Sequence, residues 1–319
     1  MKTIGPLMVD IAGTQLAPED REVLAHPLVG GVILFARNYA DHAQVTDLCA
    51  QLAALKQPRL LIAVDHEGGR VQRFRVGFTR VPAMATLDKL YDESPLRATT
   101  QARDYGNTIG RELAAVGIDL CFAPVLDCEV GISRIIGDRA FSTDPQRVVV
   151  LARAFRAGLG AAGLAATGKH FPGHGGVAAD SHQELPVDRR PLEQIAARDL
   201  LPFKALIGDG LESVMSAHVR YPAVDDQQPA SFSRVWIRGM LRHELGFNGA
   251  LFCDDLSMGG AKVVGELEYR ARLALEVGSD MLPVCNDRAG VVCLLDALPE
   301  KPRRLASARL EHLYRRVVA

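Results

Sequence analysis

Short runs of apolar residues recur along the chain and alternate with longer stretches of helical periodicity. A short, continuous apolar run is typical of a strand that is buried on both faces, as in a parallel sheet. Eight runs of this kind, rich in β-branched residues, are predicted as strands: 7–11, 31–36, 60–65, 120–125, 164–168, 213–217, 250–254 and 281–284.

The segments between these strands have the periodicity of amphipathic helices, and several begin with Asp, Ser or Pro, which suit a helix start. They cover residues 41–56, 95–116, 145–162, 191–206, 233–245 and 261–277, and the basic segment 301–318 is predicted as a closing helix. Eight alternating units predict an α/β fold with one TIM-type (β/α)8 barrel spanning residues 1–319. A doubly wound open sheet is the alternative. That fold typically has a G-x-G-x-x-G turn after an early strand, and no such turn follows the first two predicted strands.

Composition narrows the classes of function. The chain of 319 residues is 48% hydrophobic and 24% charged, with a formal net charge of -1 and scattered basic residues. No footprint for nucleic acid or an anionic membrane stands out, so a small neutral substrate fits better. A proline and an aspartate interrupt the N-terminal segment where a signal peptide would be apolar, and no run of about 18 apolar residues occurs. The six cysteines lack CxxC spacing, which favours a reducing cytoplasm.

Polar residues follow almost every predicted strand. In a barrel, catalytic groups cluster at the C-terminal ends of the strands. Each of these residues could instead cap the next helix, and Asp255 is the best candidate for that role. The strand-end residues are Asp65, Asp127, Lys169, His170, His218, Asp254, Asp255, Asn286 and Asp287.

The segment 166–182 stands out because it combines glycines with titratable groups and has almost no apolar periodicity. It contains Lys169, His170, His174, Asp180 and His182. A long loop of this composition carries function more often than it serves as a simple connection. We therefore predict an active-site loop that lies outside the core.

Three chemistries could use these residues. A metal hydrolase could bind its ion through the histidines at 170, 174 and 182 and a strand-end aspartate, although the sequence has no HExxH helix. Phosphate binding is a less well supported alternative, because G-H-G-G lacks the G-K-[ST] ending of a P-loop. Glycosyl transfer needs a carboxylate nucleophile and a proton donor. Several fixed polar partners for sugar hydroxyls could come from Asp65, Arg73, Arg139, Lys169 and His170.

Five segments together resemble family 3 glycoside hydrolases, and more narrowly their bacterial single-domain β-N-acetylglucosaminidases. The segments are K-H-F-P-G-H-G-x4-D-S-H at 169–182, D-H-E-G-G-R-V-Q-R-F at 65–74, F-A-P-V-L-D at 122–127, I-G-D-R-A-F at 136–141 and D-D-L-S-M at 254–258. The resemblance implies a TIM barrel and a cytoplasmic enzyme that uses no metal or cofactor. It also implies the substrate, N-acetylglucosamine at the non-reducing end of anhydro-muropeptides, removed with retention. We expect a monomer.

The same resemblance assigns roles by position. Asp254 would be the nucleophile, His182 the general acid/base, and Asp180 the residue that orients His182. Five residues match sugar-binding positions: Asp65, Arg73, Arg139, Lys169 and His170. His174 is expected to hold the loop by hydrogen bonds. The glycines of segment 169–187 suggest that its distal half swings His182 into the site.

Overall fold

The computed structural model describes residues 3–133 and 135–316, and its centre is a ring of eight parallel strands. All eight coincide with predicted strands to within a few residues. In chain order they are β1 (Leu7–Val9), β2 (Val29–Leu34), β3 (Leu61–Val64), β4 (Leu120–Cys121), β5 (Ala165–Phe171), β6 (Ser213–Ser216), β7 (Ala250–Cys253) and β8 (Leu282–Val284).

The strand order is β7, β6, β5, β4, β3, β2, β1, β8, so each strand pairs with its neighbours in the chain. The ring closes between β7 and β8 through a parallel bridge from Phe252 to Met281. The backbone N–H of Asp280 also donates to the carbonyl of Leu251 at 2.7 Å. The predicted (β/α)8 barrel is confirmed, and the open sheet is excluded.

Helices surround the ring, and all predicted helical segments contain one. The α-helices are Pro18–Ala25, His42–Ala54, Thr86–Glu93, Pro95–Ala115, Pro145–Ala161, Leu192–Ala197, Leu200–Gly208, Gly259–Lys262, Leu267–Val277, Arg288–Ala297 and Arg304–Glu311. Short 3-10 turns cover Ala36–Asn38, Gly137–Arg139 and Ala230–Phe232, and Val235–Glu244 is a π-helix. Two antiparallel pairs lie outside the ring: His66–Gly68 with Val71–Gln72, and Arg220–Tyr221 with Asp225–Pro229.

Two predicted helices are broken. Segment 191–206 contains two helices, because the backbone leaves helical geometry at Arg198, with φ -121° and ψ -70°. Segment 261–277 is interrupted near Gly265, whose φ of +138° favours glycine. The closing helix is shorter than predicted and ends at Glu311, and the last three residues of the chain lie outside the described ones.

Side chains fill the interior of the barrel, so the ring is a packed core and not a pore. Phe122 on the β4 side meets Phe252 of β7 edge to face, with ring centroids 5.2 Å apart. Met8, Ile33, Met215 and Met281 belong to the same buried cluster. This apolar layer forms the floor beneath the polar residues at the C-terminal ends of the strands.

The prediction that segment 166–182 lies outside the core is wrong for its first part. Strand β5 continues to Phe171, and all seven of its residues are buried. Lys169 and His170 can be buried there because acidic side chains from other parts of the barrel pair with them. Those partners are distant in sequence, so local periodicity gives no sign of them.

Within residues 3–133 and 135–316, no helix is long and apolar enough to cross a membrane.

Candidate active site

A cavity of about 520 Å³ opens at the C-terminal ends of the barrel strands. Seven of the eight predicted site residues line it: Asp65, Arg73, Arg139, Lys169, His170, His182 and Asp254. The eighth, Asp180, is outside the lining and contacts the ring of His182. The structure therefore brings together residues from positions 65 to 254, with β3, β5 and β7 each contributing from its C-terminal end.

A buried ion-pair network forms one wall of the cavity. The ammonium Nζ of Lys169 lies 2.8 Å from Oδ1 of Asp65 and 2.6 Å from Oε1 of Glu67. Arg139 binds Glu67 in a bidentate manner, with both N···O distances at 2.8 Å. Arg73 approaches Asp65 more loosely, at 3.4 Å. The wall therefore presents fixed, alternating donors and acceptors, which suit a ligand with many hydroxyl groups.

These partners keep the network ionised. Burial alone would raise the pKa of Asp65, but the charges of Lys169 and Arg73 outweigh it and hold the pKa well below its usual range. Burial opposes ionisation of Glu67 in the same way, yet Arg139 and Lys169 lower the pKa of Glu67 to about 2. Burial would lower the pKa of Lys169, but Asp65 and Glu67 raise it.

Glu67 is a site residue that the sequence reasoning missed. It lies in the quoted segment D-H-E-G-G-R, two positions after Asp65, and is 3% exposed. It reaches the cavity because His66–Gly68 turns back on Val71–Gln72 at Gly68 and Gly69, which have φ values of +101° and +56°. The double glycine after the glutamate was the available signal for that turn.

Asp127 organises the histidines at the end of β5. Its Oδ2 lies 2.7 Å from Nδ1 of His170, and its Oδ1 accepts the backbone N–H groups of His170 and His174. The ring of His174 is 2.9 Å from the Ser181 hydroxyl. His174 thus ties the start of the loop to the segment that carries His182, in agreement with the structural role expected for it.

Asp254 follows β7 and faces the cavity. Its backbone N–H donates to the carbonyl of Ser216 at 3.0 Å, and its Oδ1 accepts the N–H of Asp255 at 2.8 Å. Burial would raise the pKa of Asp254, but His170, His218 and His182 outweigh this effect and lower it. Asp254 is therefore an ionised carboxylate at neutral pH.

Asp255 does not cap the helix after it, contrary to the expectation. That helix begins at Gly259, and its N-cap position is Met258. Instead, Oδ1 of Asp255 accepts the N–H groups of Ser257 and Cys285, and Oδ2 accepts the Ser257 hydroxyl. Asp255 thereby connects the segment after β7 to the end of β8. Burial raises the pKa of Asp255 to about 6.

His182 lies at the rim of the cavity, with 63% of its side chain exposed. Its Nδ1 is 2.9 Å from Oδ1 of Asp180, which also accepts the backbone N–H of His182. The backbone here is docked on the segment that follows Asp254. The N–H of Gly259 donates to the His182 carbonyl at 3.0 Å, and that of Gly260 to the Ser181 carbonyl at 2.8 Å.

Metal coordination was one of the chemistries open to the sequence. In the part of the chain that the structure describes, no group of three or more His, Cys, Asp or Glu residues is arranged to hold a metal ion. One ring nitrogen of each loop histidine is engaged: Nδ1 of His170 with Asp127, Nε2 of His174 with Ser181, and Nδ1 of His182 with Asp180. What the cavity combines is an ionised carboxylate and an Asp-supported imidazole beside a polar wall, which could serve glycosyl transfer as nucleophile and proton donor.

The chain belongs to glycosyl hydrolase family 3: the model of that family's N-terminal domain matches residues 4–319. It is 54% identical to a beta-hexosaminidase of Thiobacillus denitrificans over 97% of this chain and 86% of the relative. The crystal structure of NagZ from Neisseria gonorrhoeae in complex with N-trifluoroacetyl-D-glucosamine superimposes with a TM-score of 0.93 and 43% identity. That match covers 98% of this chain and 91% of the other.

A second solved relative is a family 3 beta-N-acetylglucosaminidase from Paenibacillus sp., with a TM-score of 0.87 and 34% identity. It covers 96% of this chain but 60% of the longer Paenibacillus chain. The resemblance noted from the sequence motifs is thus confirmed at the level of the family, and the protein is a glycoside hydrolase.

Proposed function

We propose that this enzyme is a retaining exo-β-N-acetylglucosaminidase. Its substrate would be N-acetylglucosamine at the non-reducing end of peptidoglycan fragments, GlcNAc-1,6-anhydro-MurNAc peptides, released in cell-wall recycling. Relatives named beta-hexosaminidase and the similarity to NagZ support the sugar preference. The observation that carries the proposal is the shared cavity, which both the ionised Asp254 and the Asp180-supported His182 line.

In the first step, a carboxylate oxygen of Asp254 attacks the anomeric carbon as the bond to the departing oxygen breaks. The lowered pKa of Asp254 keeps its carboxylate available for the attack. His182 gives a proton to the departing oxygen, so that the aglycone leaves as a neutral alcohol. The products of this step are a covalent glycosyl-enzyme and a neutral imidazole.

In the second step, the neutral imidazole of His182 takes a proton from water as the water oxygen attacks the anomeric carbon. The bond to Asp254 breaks, and its carboxylate is regenerated. Two displacements at one carbon restore the original β configuration. An imidazole suits both steps, because its unperturbed pKa of about 6.5 lies close to neutral pH.

Asp180 fixes the imidazole for this exchange. Burial tends to raise the pKa of Asp180, but hydrogen bonds from the backbone and ring of His182 lower it. A carboxylate only accepts hydrogen bonds, so the hydrogen on Nδ1 of His182 points to Asp180. Nε2 is then the nitrogen that exchanges the proton with the substrate, and Asp180 holds the ring in that orientation.

The polar wall would bind the sugar. Lys169, Asp65, Arg73 and Arg139 are held by partners of opposite charge, and His170 is held by its contact with Asp127, so their positions are set before the substrate arrives. Pre-set hydrogen-bonding groups reduce the ordering cost of binding. Glu67 belongs to this set through Arg139 and Lys169.

The His182 segment also has the features of a movable acid/base. It is exposed at the rim, and two backbone hydrogen bonds dock it on Gly259 and Gly260. Opening would break these contacts and take His182 away, whereas closing would restore them.

We further propose a cytoplasmic monomer that works without metal or cofactor, has no nucleic-acid or membrane partner, and binds muropeptides.

The experiment is a product assay on purified GlcNAc-1,6-anhydro-MurNAc tripeptide, followed by NMR within the first minutes. The proposal expects two products. One is free N-acetylglucosamine, which appears first as the β anomer, and the other is the remaining 1,6-anhydro-MurNAc tripeptide. An initial α product would refute retention. Cleavage of chitobiose without cleavage of the muropeptide would refute the proposed substrate and leave the glycosidase activity in place.

A further inference from the structure

The side chain of Arg190 contacts both ends of the loop that connects β5 to the helix Leu192–Ala197. At the near end, Gly176 lies directly on the guanidinium, because a Cβ placed on it would be 2.1 Å from Nη2 of Arg190. At the far end, Nε and Nη2 of Arg190 bind both carboxylate oxygens of Asp188, at distances of 2.6 to 3.0 Å.

A second carboxylate, that of Asp199, also binds the guanidinium of Arg190. Nη1 of Arg190 donates to Oδ2 of Asp199 at 2.8 Å, and the side chain of Asp199 is fully buried. Asp199 also packs on Gly173, where a Cβ would lie 2.6 Å from the Cβ of Asp199. The hydroxyl of Tyr221 donates to the Gly173 carbonyl at 2.5 Å. The near end of the loop thus packs against Asp199, the same side chain that binds Arg190.

The far end is fixed by the backbone as well. The N–H of Arg220 donates to the Pro186 carbonyl at 2.9 Å, and the N–H of Asp188 donates to the Arg220 carbonyl at 2.8 Å. Residues up to 176 and from 186 onward are therefore anchored to the body of the barrel. The stretch between them carries Asp180 and His182.

We infer that Arg190 is a positioning residue for proton transfer: by joining Gly176, Asp188 and Asp199, it sets where the His182-bearing stretch begins and ends. This inference rests on the proposed role of His182. Arg190 is absent from the lining of the cavity and acts through the loop. Loss of the guanidinium would leave two neighbouring buried carboxylates without their shared cation, and both ends of the stretch would lose their common anchor.

The test separates proton transfer from general damage by its dependence on the leaving group. Arg190→Gln and Arg190→Lys are assayed with two aryl N-acetyl-β-glucosaminides, one with a good leaving group (2,4-dinitrophenyl) and one with a poor one (phenyl). The two kcat/KM values are measured on one preparation, so their ratio does not depend on the fraction of folded enzyme. The control is Arg156→Gln, because Arg156 binds Glu212 with a similar geometry far from the cavity.

Mispositioned acid catalysis should reduce kcat/KM at least about tenfold more for the phenyl than for the dinitrophenyl substrate in both Arg190 variants. Azide, which needs no general base, should restore turnover of the dinitrophenyl substrate as glycosyl azide forms. Arg156→Gln should leave the ratio unchanged. An unchanged ratio in the Arg190 variants, while His182→Ala changes it, overturns the inference and leaves the function intact. An unchanged ratio in His182→Ala refutes the proposed role of His182 itself.

Discussion

Nδ1 of His182 lies 2.9 Å from Oδ1 of Asp180, and the same oxygen accepts the backbone N–H of His182 at 2.8 Å. One carboxylate oxygen thus orients both the ring and the backbone of the residue that would carry the proton. The contact is local, between residues two positions apart in sequence, so the proposed movement of the loop would not have to break it.

His182→Ala should therefore reduce kcat about 10²–10⁴-fold on substrates with poor leaving groups. Asp180→Ala should cause a smaller loss, since the imidazole remains but is neither oriented nor supported. If the pair acts as a unit, Asp180→Ala combined with His182→Ala should be no slower than His182→Ala alone. Steady-state kinetics on the three proteins measure this. Multiplicative losses in the double variant would contradict a shared role.

Asp65→Asn should weaken sugar binding. Asp65 accepts from Lys169 and Arg73 and lines the cavity, so the variant replaces a charged acceptor by an amide in the polar wall. A hydrogen bond to a charged group contributes about 1.5–3 kcal/mol, which corresponds to a loss in kcat/KM of about ten- to a hundredfold. The affinity for N-acetylglucosamine, measured by calorimetry, should fall in parallel.

Asp119→Asn is the matched control for that experiment. Asp119 is also a buried carboxylate that pairs with an arginine, Arg59, at 2.7 Å, but it precedes β4 at the opposite end of the barrel. The variant should unfold more easily and yet bind N-acetylglucosamine as the parent does. Equal losses of sugar affinity in both variants would show that Asp65 acts through stability alone.

Glu67→Gln should change how stability depends on pH. The ion pairs lower the pKa of Glu67 from 4.5 to about 2, so its ionisation stabilises the folded state above pH 4.5. That contribution is lost as the pH falls from 4.5 to 2, at a slope of up to about 1.4 kcal/mol per pH unit. The variant lacks this slope, so its deficit relative to the parent should shrink across that window. Denaturant unfolding at pH 5, 4 and 3 measures the deficit, and a constant deficit would contradict the account.

The strands and most of the helices could be predicted because local patterns specify them. Most barrel strands are short, mainly apolar runs, and a helix such as Pro95–Ala115 begins where Ser94 accepts the N–H of Arg97. The proposed site residues were identified through the motifs in which they lie. Their convergence follows from the fold, because parallel strands in a barrel deliver their C-terminal ends to one face.

The burial of the lysine in the polar wall was missed because its pairing partners are distant in sequence. Lys169 looked like a loop residue because its partners Asp65 and Glu67 lie about a hundred positions earlier. The helix predicted over 191–206 is interrupted at Arg198, beside Asp199, whose carboxylate binds Arg190 nine positions earlier. Neither pairing shows in the apolar periodicity of its segment. Glu67 was missed although the double glycine after it indicates the turn that brings it to the cavity.

The proposed mechanism depends most on the covalent intermediate that Asp254 would form. The direct test is incubation with a 5-fluoro N-acetylglucosaminyl fluoride, which retains the acetamido group and slows the second step, followed by proteolysis and peptide fragmentation. Because Asp254 and Asp255 are adjacent, fragmentation must assign the label to one residue. The account predicts one sugar per chain, attached to the side chain of Asp254. A label on Asp255 or any other residue would contradict it, as would turnover that leaves no enzyme-bound sugar.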